Sequence, residues 1–203
     1  FRLARVTSTI YHYLHSQIRV WLDSQPTPED FASVYKELSK ETDEIVSVHL
    51  SQKTSGAYNS ALQGREIAAI RSRVEVIDSF SVSMGLGLIV MAAARLAQAG
   101  ASLQKVVKEI KDTIPQVHLL GIFDTLKYLA RGGRISKAKA SLGSMLSVKP
   151  MITMRDGELV PASLVRTRSK GIERLFQFVE RALSIQELAI VHSTTPDEAS
   201  SLK

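Results

Sequence analysis

Val46-Ser-Val-His-Leu-Ser-Gln-Lys-Thr-Ser-Gly-Ala-Tyr-Asn-Ser60 runs from β-branched apolar residues into a hydroxyl-rich turn and then into a helical pattern. A strand of this composition delivers Ser51, Thr54, Ser55 and Gly56 to its carboxyl end, where open α/β sheets take up ligands. Gly56 permits close approach of a ligand to the backbone. The free N–H groups that open the following helix favour an anion. Such a turn suits a carboxylate or a phosphate and carries no catalytic base, so its chemistry is that of a binder. An ordinary strand-to-helix connection would use the same residue types as caps. Two further polar turns favour a site: Ser24-Gln-Pro26 ahead of a helix start, and Asp78-Ser79 at the end of the next strand.

The pattern extends in both directions from that turn. Thr27-Pro-Glu-Asp30 combines a capping threonine, proline at the first helical position and acids in the first turn. Phe31, Val34, Tyr35 and Leu38 then mark one apolar face. The spacing predicts a strand at 44–50, a helix at 57–70, a strand at 74–77, a helix at 83–98 closed by Gly100, and a helix capped by Ser102 that runs to 113. Strands alternating with helices imply a mostly parallel sheet covered on both faces. Beyond Pro115 the pattern changes: a strand at 117–123, a short helix at 124–130, a break at Arg131-Gly-Gly-Arg-Ile135 and a helix at 136–147. Lys149 to Pro161 reads as a hairpin turning at Asp156-Gly157, followed by a helix at 168–183 and a strand at 188–192. The expected architecture is therefore two-domain α/β. A parallel α/β/α domain at 1–115 precedes a second α/β domain at 116–203 whose sheet is largely antiparallel.

A chain of 203 residues, 44% of them apolar, can bury a substantial core. It has no cysteine, which rules out disulfides and thiolate metal sites. The apolar run from Leu86 to Ala94 is too short to span a bilayer. The net charge of +6 gathers at 127–139 and in Arg166-Thr-Arg-Ser-Lys170. Neither cluster interleaves aromatics with its charges, and no nucleic-acid-binding motif is present, so solvated surface or an anionic ligand explains the charge better.

Arg131-Gly-Gly-Arg-Ile-Ser136 is the second informative motif. Paired glycines let the chain bend sharply and turn a guanidinium inward, where its planar fork suits a carboxylate or phosphate. A glycine cap ending a short helix is the competing explanation. Gly85-Leu-Gly87 lacks the third glycine of a dinucleotide loop and is better explained by close helix packing. Ser136-Lys-Ala-Lys139 matches Ser-x-x-Lys, but so does Ser33 to Lys36 within an amphipathic helix, and no partner motif supports acyl-enzyme chemistry. The five histidines show no helical metal-site spacing. His49, His118 and His192 fall on expected strands; His192, at a strand end before Ser193, is kept as a candidate site residue.

Taken in order, several segments together resemble the DegV family of bacterial fatty-acid-binding proteins. They are Ser24-Gln-Pro-Thr-Pro-Glu-Asp-Phe31, His49-Leu-Ser-Gln-Lys-Thr-Ser-Gly-Ala-Tyr58, Val76-Ile-Asp-Ser79, Tyr128-Leu-Ala-Arg-Gly-Gly-Arg-Ile135, Ser147-Val-Lys-Pro-Met-Ile152, and Asp156-Gly157 followed by Arg166-Thr-Arg168. The resemblance runs from about Tyr11 to the end. It implies two α/β domains, a long-chain fatty acid in a buried tunnel and its carboxylate at an interdomain mouth. It also implies that a separate fatty acid kinase subunit phosphorylates the presented carboxylate, so that this protein would be a carrier rather than an enzyme. Carried over by motif, Ser55 and Gly56 would hold the carboxylate, Asp23 or Ser24 would lie beside it, and Arg134 would be the counter-charge.

The chain departs from the family where Asp23 replaces a threonine and Ala57 replaces the threonine after Ser-Gly. The family's opening strand with its Asp-Ser motif and its C-terminal histidine–glycine–proline–glycine segment are both missing. Leu119, Leu120, Ile122, Leu126, Leu142, Met145, Leu146, Met151 and Met154 are the expected tunnel walls, although ordinary core packing would use the same residues. The resemblance implies a bacterial cytoplasmic protein with no cofactor beyond the bound fatty acid. Nucleic acid is not an expected partner; transient membrane contact is compatible with a lipid cargo. The rival functions are an enzyme acting on a phosphorylated small molecule and a nucleic-acid binder using the basic surface.

Overall fold

The computed structural model describes residues 25–135, 148–193 and 195–201. Helix α1 (Pro28–Leu38) begins as its sequence requires. The Thr27 side chain accepts from the Asp30 backbone N–H, and the Asp30 carboxylate accepts from the Thr27 N–H. Strands β1 (Glu44–His49) and β2 (Arg73–Asp78) pair in parallel, with Glu44 opposite Arg73 and His49 opposite Asp78. Helix α2 (Ala57–Ala68) connects them, and α3 (Ser83–Gln98) and α4 (Leu103–Thr113) follow.

Side-chain alternation along β1 divides the core. Ile45 joins Val74 against Phe31, Ala32 and Tyr35 of α1 and Ala57, Ala61 and Ala68 of α2. Val46 and Val48 face the opposite way, with Ile77, against Ile89, Ala93 and Ala97 of α3 and Val106 and Ile110 of α4. The parallel pair is thus sandwiched between helices. Gly64 allows the close crossing of α1 and α2: a Cβ there would lie 2.6 Å from the Phe31 Cβ.

A separate antiparallel sheet has the order β3-β4-β5. Its strands are β3 (Leu120–Ile122), β4 (Lys149–Arg155) and β5 (Glu158–Val165). The hairpin turns at Asp156 and Gly157, with φ of 50° and 79°, the left-handed pair that an Asp-Gly turn supplies. Helix α5 (Lys127–Arg131) lies between β3 and β4 in sequence, α6 (Arg168–Glu180) follows β5, and α7 (Pro196–Ser201) comes last. Leu126, Ile135, Ile152 and Leu159 form a third core cluster that also receives Val82, the residue preceding α3.

The chain is therefore α/β, with one parallel and one antiparallel sheet among the described residues, as the sequence predicts. Three local expectations change. The strand expected at 117–123 shrinks to Leu120–Ile122, leaving His118 ahead of it. The helix expected to reach Leu183 ends at Glu180, and Leu183 is fully exposed. Residues 188–192 form no strand; Leu188 and Val191 are 53% and 61% exposed, and among the described residues no neighbouring strand completes a ladder. β-Branched composition describes fitness for a half-buried pleated surface and does not create one. The helix expected at 136–147 lies outside the described residues.

The basic cluster Arg166 to Lys170 is largely paired within the protein, and so is Lys149. Lys149 meets Asp124 at 2.8 Å, Lys170 meets Glu173 at 2.6 Å, and the Arg168 guanidinium donates from Nε to both Glu198 oxygens at 2.7 Å. Hydrogen bonding to Lys149 holds the Asp124 carboxyl below its usual range. Much of the charge in Arg166 to Lys170 is thus occupied within the protein.

Candidate ligand site

The hydroxyl groups at the carboxyl ends of β1 and β2 divide into two sets. Ser51, Ser79 and Ser81 are buried, and the Ser51 and Ser79 hydroxyls bind backbone. Ser79 Oγ accepts from the Ser81 N–H at 3.2 Å, and the Ser81 carbonyl accepts from the Ser51 N–H at 2.9 Å. Ser51 Oγ donates to the Gly157 carbonyl at 2.6 Å, which ties β1 to the hairpin of the other sheet. The Asp78 carboxylate accepts from the N–H groups of Phe80 and Gln52 at 2.8 and 3.3 Å. These groups build the loops.

Ser55 differs. It is half-buried, and its Oγ accepts from the Ala57 N–H at 3.3 Å. Among the described residues its O–H has no acceptor, which leaves a donor available. Gly56 beside it has an ordinary helical φ of −77°, so conformational freedom is not its use. A Cβ there would sit 2.1 Å from Oε1 of Gln25. What approaches this backbone closely is the carboxamide from the Ser24-Gln-Pro26 turn. The two polar turns singled out in the sequence are therefore neighbours. Ala57, in place of the expected threonine, is buried in the α1/α2 core, where a methyl group suffices.

Arg134 arrives by another route. Helix α5 ends at Gly132, and Gly133 takes a φ of 72°. The Gly133 N–H reaches the Ala130 carbonyl at 3.1 Å and the Arg134 N–H reaches the Leu129 carbonyl at 2.9 Å, the paired bonds of a Schellman cap. The glycine cap and the placed guanidinium are thus one device. Arg134 Nη1 also donates to the Gly132 carbonyl at 2.9 Å.

Ser55, Gly56 and Arg134 all line one cavity of about 1410 Å³, together with Gln25 and Pro26. Its apolar walls come from Val34 and Leu38 of α1 and Leu86, Val90, Met91 and Ala94 of α3. Every residue from Glu44 to Leu50 lines it, so it runs along the edge of β1 opposite β2. Of the expected tunnel walls, Leu119, Leu120, Ile122, Leu126, Met151 and Met154 do not line this cavity; Leu126 and Met151 are fully buried. Leu142, Met145 and Leu146 lie outside the described residues, as do Asp23 and Ser24. His192 is exposed and does not line the cavity.

One polar cluster in the cavity wall was not recognised from the sequence. Tyr35 Oη donates to Ser47 Oγ at 2.8 Å, and Ser47 Oγ lies 2.7 Å from His49 Nε2. The Phe31 ring packs against the imidazole at right angles with centroids 5.1 Å apart. Burial pushes the His49 imidazole down to about 4, against the opposing pull of Asp78. The available signal was the i, i+2 spacing of Ser47 and His49, which puts hydroxyl and imidazole on one strand face. Among the described residues no group of His, Asp and Glu side chains is arranged to hold a metal ion. No helix among them is long and apolar enough to cross a membrane.

The chain belongs to the DegV family: the family profile described as "Uncharacterised protein, DegV family" matches residues 7–203. A DegV domain-containing protein of Caldanaerobacter subterraneus subsp. tengcongensis is 35% identical over 173 residues, covering 84% of this chain and 61% of that protein. The chain spans about three fifths of the length of the curated relatives it matches. Among solved structures, a DegV family protein from Thermus thermophilus, described for its fatty acid binding, superposes with a TM-score of 0.70 at 37% identity. That match covers 77% of this chain and 55% of the other. DegV of Bacillus subtilis, described as a fatty acid binding protein, gives a TM-score of 0.68 at 32% identity, over 77% of this chain and 56% of that one.

Proposed function

We propose that this protein binds a long-chain fatty acid, with the acyl chain in an apolar tunnel and the carboxylate held at a polar mouth by Ser55, the turn at Gly56 and Arg134. The observation that carries the proposal is the meeting of Ser55, Gly56 and Arg134, from separate parts of the chain, on one cavity with apolar walls. Fatty acid binding by the Thermus thermophilus and Bacillus subtilis relatives supports the same ligand class. Burial of the tail contributes about 0.8 kcal/mol per methylene and sets affinity, while the polar groups set orientation. Gln25 and Pro26 line the same mouth; Asp23 and Ser24, which the family motif assigns to the head group, lie outside the described residues. We assign the protein the role of a cytoplasmic carrier that needs no cofactor and offers the carboxylate to a separate kinase subunit. In this proposal the two sheets are the centres of two domains that meet near Pro115.

Native mass spectrometry of the freshly purified protein, before and after organic extraction, is the direct test. A bound mass in the fatty-acid range is expected, and its absence from protein with proven lipid access would defeat the proposal. Ser55→Ala should weaken palmitate binding about five- to tenfold, the loss of one hydrogen bond to a charged group. Its melting temperature should stay close to the parent's, because the one bond Ser55 Oγ is seen to accept, from the Ala57 N–H, is long at 3.3 Å. Unchanged palmitate affinity would remove Ser55 from the mouth.

A further inference from the structure

The Tyr35–Ser47–His49 chain has a direction. The tyrosine hydroxyl donates to Ser47 Oγ, and Ser47 Oγ lies 2.7 Å from His49 Nε2, which accepts the serine proton in the tautomer that carries its own proton on Nδ1. Nδ1 has no hydrogen-bond partner among the described residues. Yet no buried side-chain nitrogen or oxygen among them lacks a partner. His49 Nδ1 is therefore not sealed inside the protein, and His49 is one of the residues that line the cavity. Tyr35 and His49 are otherwise enclosed, at 2% and 9% exposure. A donor held so rigidly in an apolar wall contributes little to folding and much to selection of what enters, because a ligand without an acceptor leaves it unsatisfied.

We propose that His49 is a ligand-reading residue: its ring, in the Nδ1-protonated tautomer and oriented by Tyr35 and Ser47, donates from Nδ1 to an acceptor oxygen of the bound lipid's carboxyl head. The assignment rests on the fatty-acid proposal above and adds a specificity residue to it. His49 sits six positions before Ser55 on the strand that feeds the Ser-Gly turn, and both line the same cavity. The imidazole would supplement the Ser55 hydroxyl and favour a free carboxylate over its ester, since hydrogen bonds to ionised acceptors are the stronger ones.

Two substitutions separate this role from a structural one. In His49→Gln the carboxamide reaches the Nε2 position and keeps Ser47 company but loses the Nδ1 donor. In His49→Asn a donor remains near Nδ1 and the link to Ser47 is lost. Binding of palmitate and of methyl palmitate to the full chain is measured for parent and both variants. Glutamine should weaken palmitate about tenfold and methyl palmitate less than threefold, while asparagine keeps the parent's preference for the acid. A glutamine variant with parental preference, or an asparagine variant that loses it, overturns the assignment and leaves the lipid proposal standing. A parent that takes up neither lipid defeats the lipid proposal and this one with it. Should either variant fold poorly, ¹⁵N spectra of histidine-labelled parent decide: saturating palmitate should shift the His49 Nδ1 resonance with Nε2 unprotonated, and an unmoved Nδ1 signal overturns the role.

Discussion

At His49, burial and the charge of Asp78 act on one ring with opposite consequences for acid. The folded protein holds the imidazole near 4, whereas an ordinary histidine titrates near 6.5. As pH falls, the unfolded chain therefore binds the proton first. The contribution is complete above pH 6.5 and is lost progressively as pH falls toward 4, up to about 3 kcal/mol. The titratable groups that face the ring are Asp78 from β2, which pulls its pKa up, and Tyr35 from α1, whose hydroxyl burial keeps neutral. Urea midpoints of the parent should fall through this window more steeply than those of His49→Gln. Parallel slopes would show that the ring is not shielded from protonation. The hydroxyl turn at Ser55 and Gly56 and the Gly-Gly-Arg motif at Arg134 stand out in the sequence by residue chemistry, and the structure puts them on one cavity. The Tyr35–Ser47–His49 chain was legible only in its i, i+2 half: the spacing puts Ser47 and His49 on one strand face, but the link to Tyr35 joins a helix to a strand and no local spacing encodes it.

Among the elements, helix starts and hairpin turns follow their sequences closely. Thr27 with Asp30, Ser102 and Thr167 all cap the helices they precede. Thr27→Ala removes one half of a reciprocal cap and should destabilise the protein by about 1 kcal/mol, read as a lower urea midpoint with an unchanged slope. A shift in the slope would mean that α1 unfolds separately. Elements that depend on partners were less legible. Residues 188–192 have strand composition but no adjacent strand among the described residues. Gly56 and Gly64 each mark where another part of the chain needs the room of a Cβ. Which part comes that close depends on how α1 and its leading turn pack.

For the whole molecule, the joint between the sheets is polar and small in extent. Ser51 Oγ bonds the Gly157 carbonyl, and Lys53 lies 3.8 Å from Glu158 across the same junction. A Cβ on Gly157 would meet Ser51 Oγ at 2.6 Å and Phe80 at 3.1 Å, so the turn is seated directly on the loops at the ends of β1 and β2. Ser51→Ala leaves a buried carbonyl without its donor and should cost about 1–3 kcal/mol in urea denaturation. A neutral result would show that water replaces the hydroxyl and that the sheets are held mainly by Val82 in the Leu126–Leu159 cluster. The sequence by itself determined the α/β class, the order of elements, the caps, the Asp-Gly hairpin and the residue types of the polar turns, because these follow from local periodicity and side-chain chemistry. Only the tertiary structure decided that Gln25 covers Gly56, that a Schellman cap delivers Arg134 to the Ser55 cavity, and that His49 is held neutral with one nitrogen open. Those facts depend on which surfaces pack together, and packing depends on shape complementarity between segments far apart in the chain.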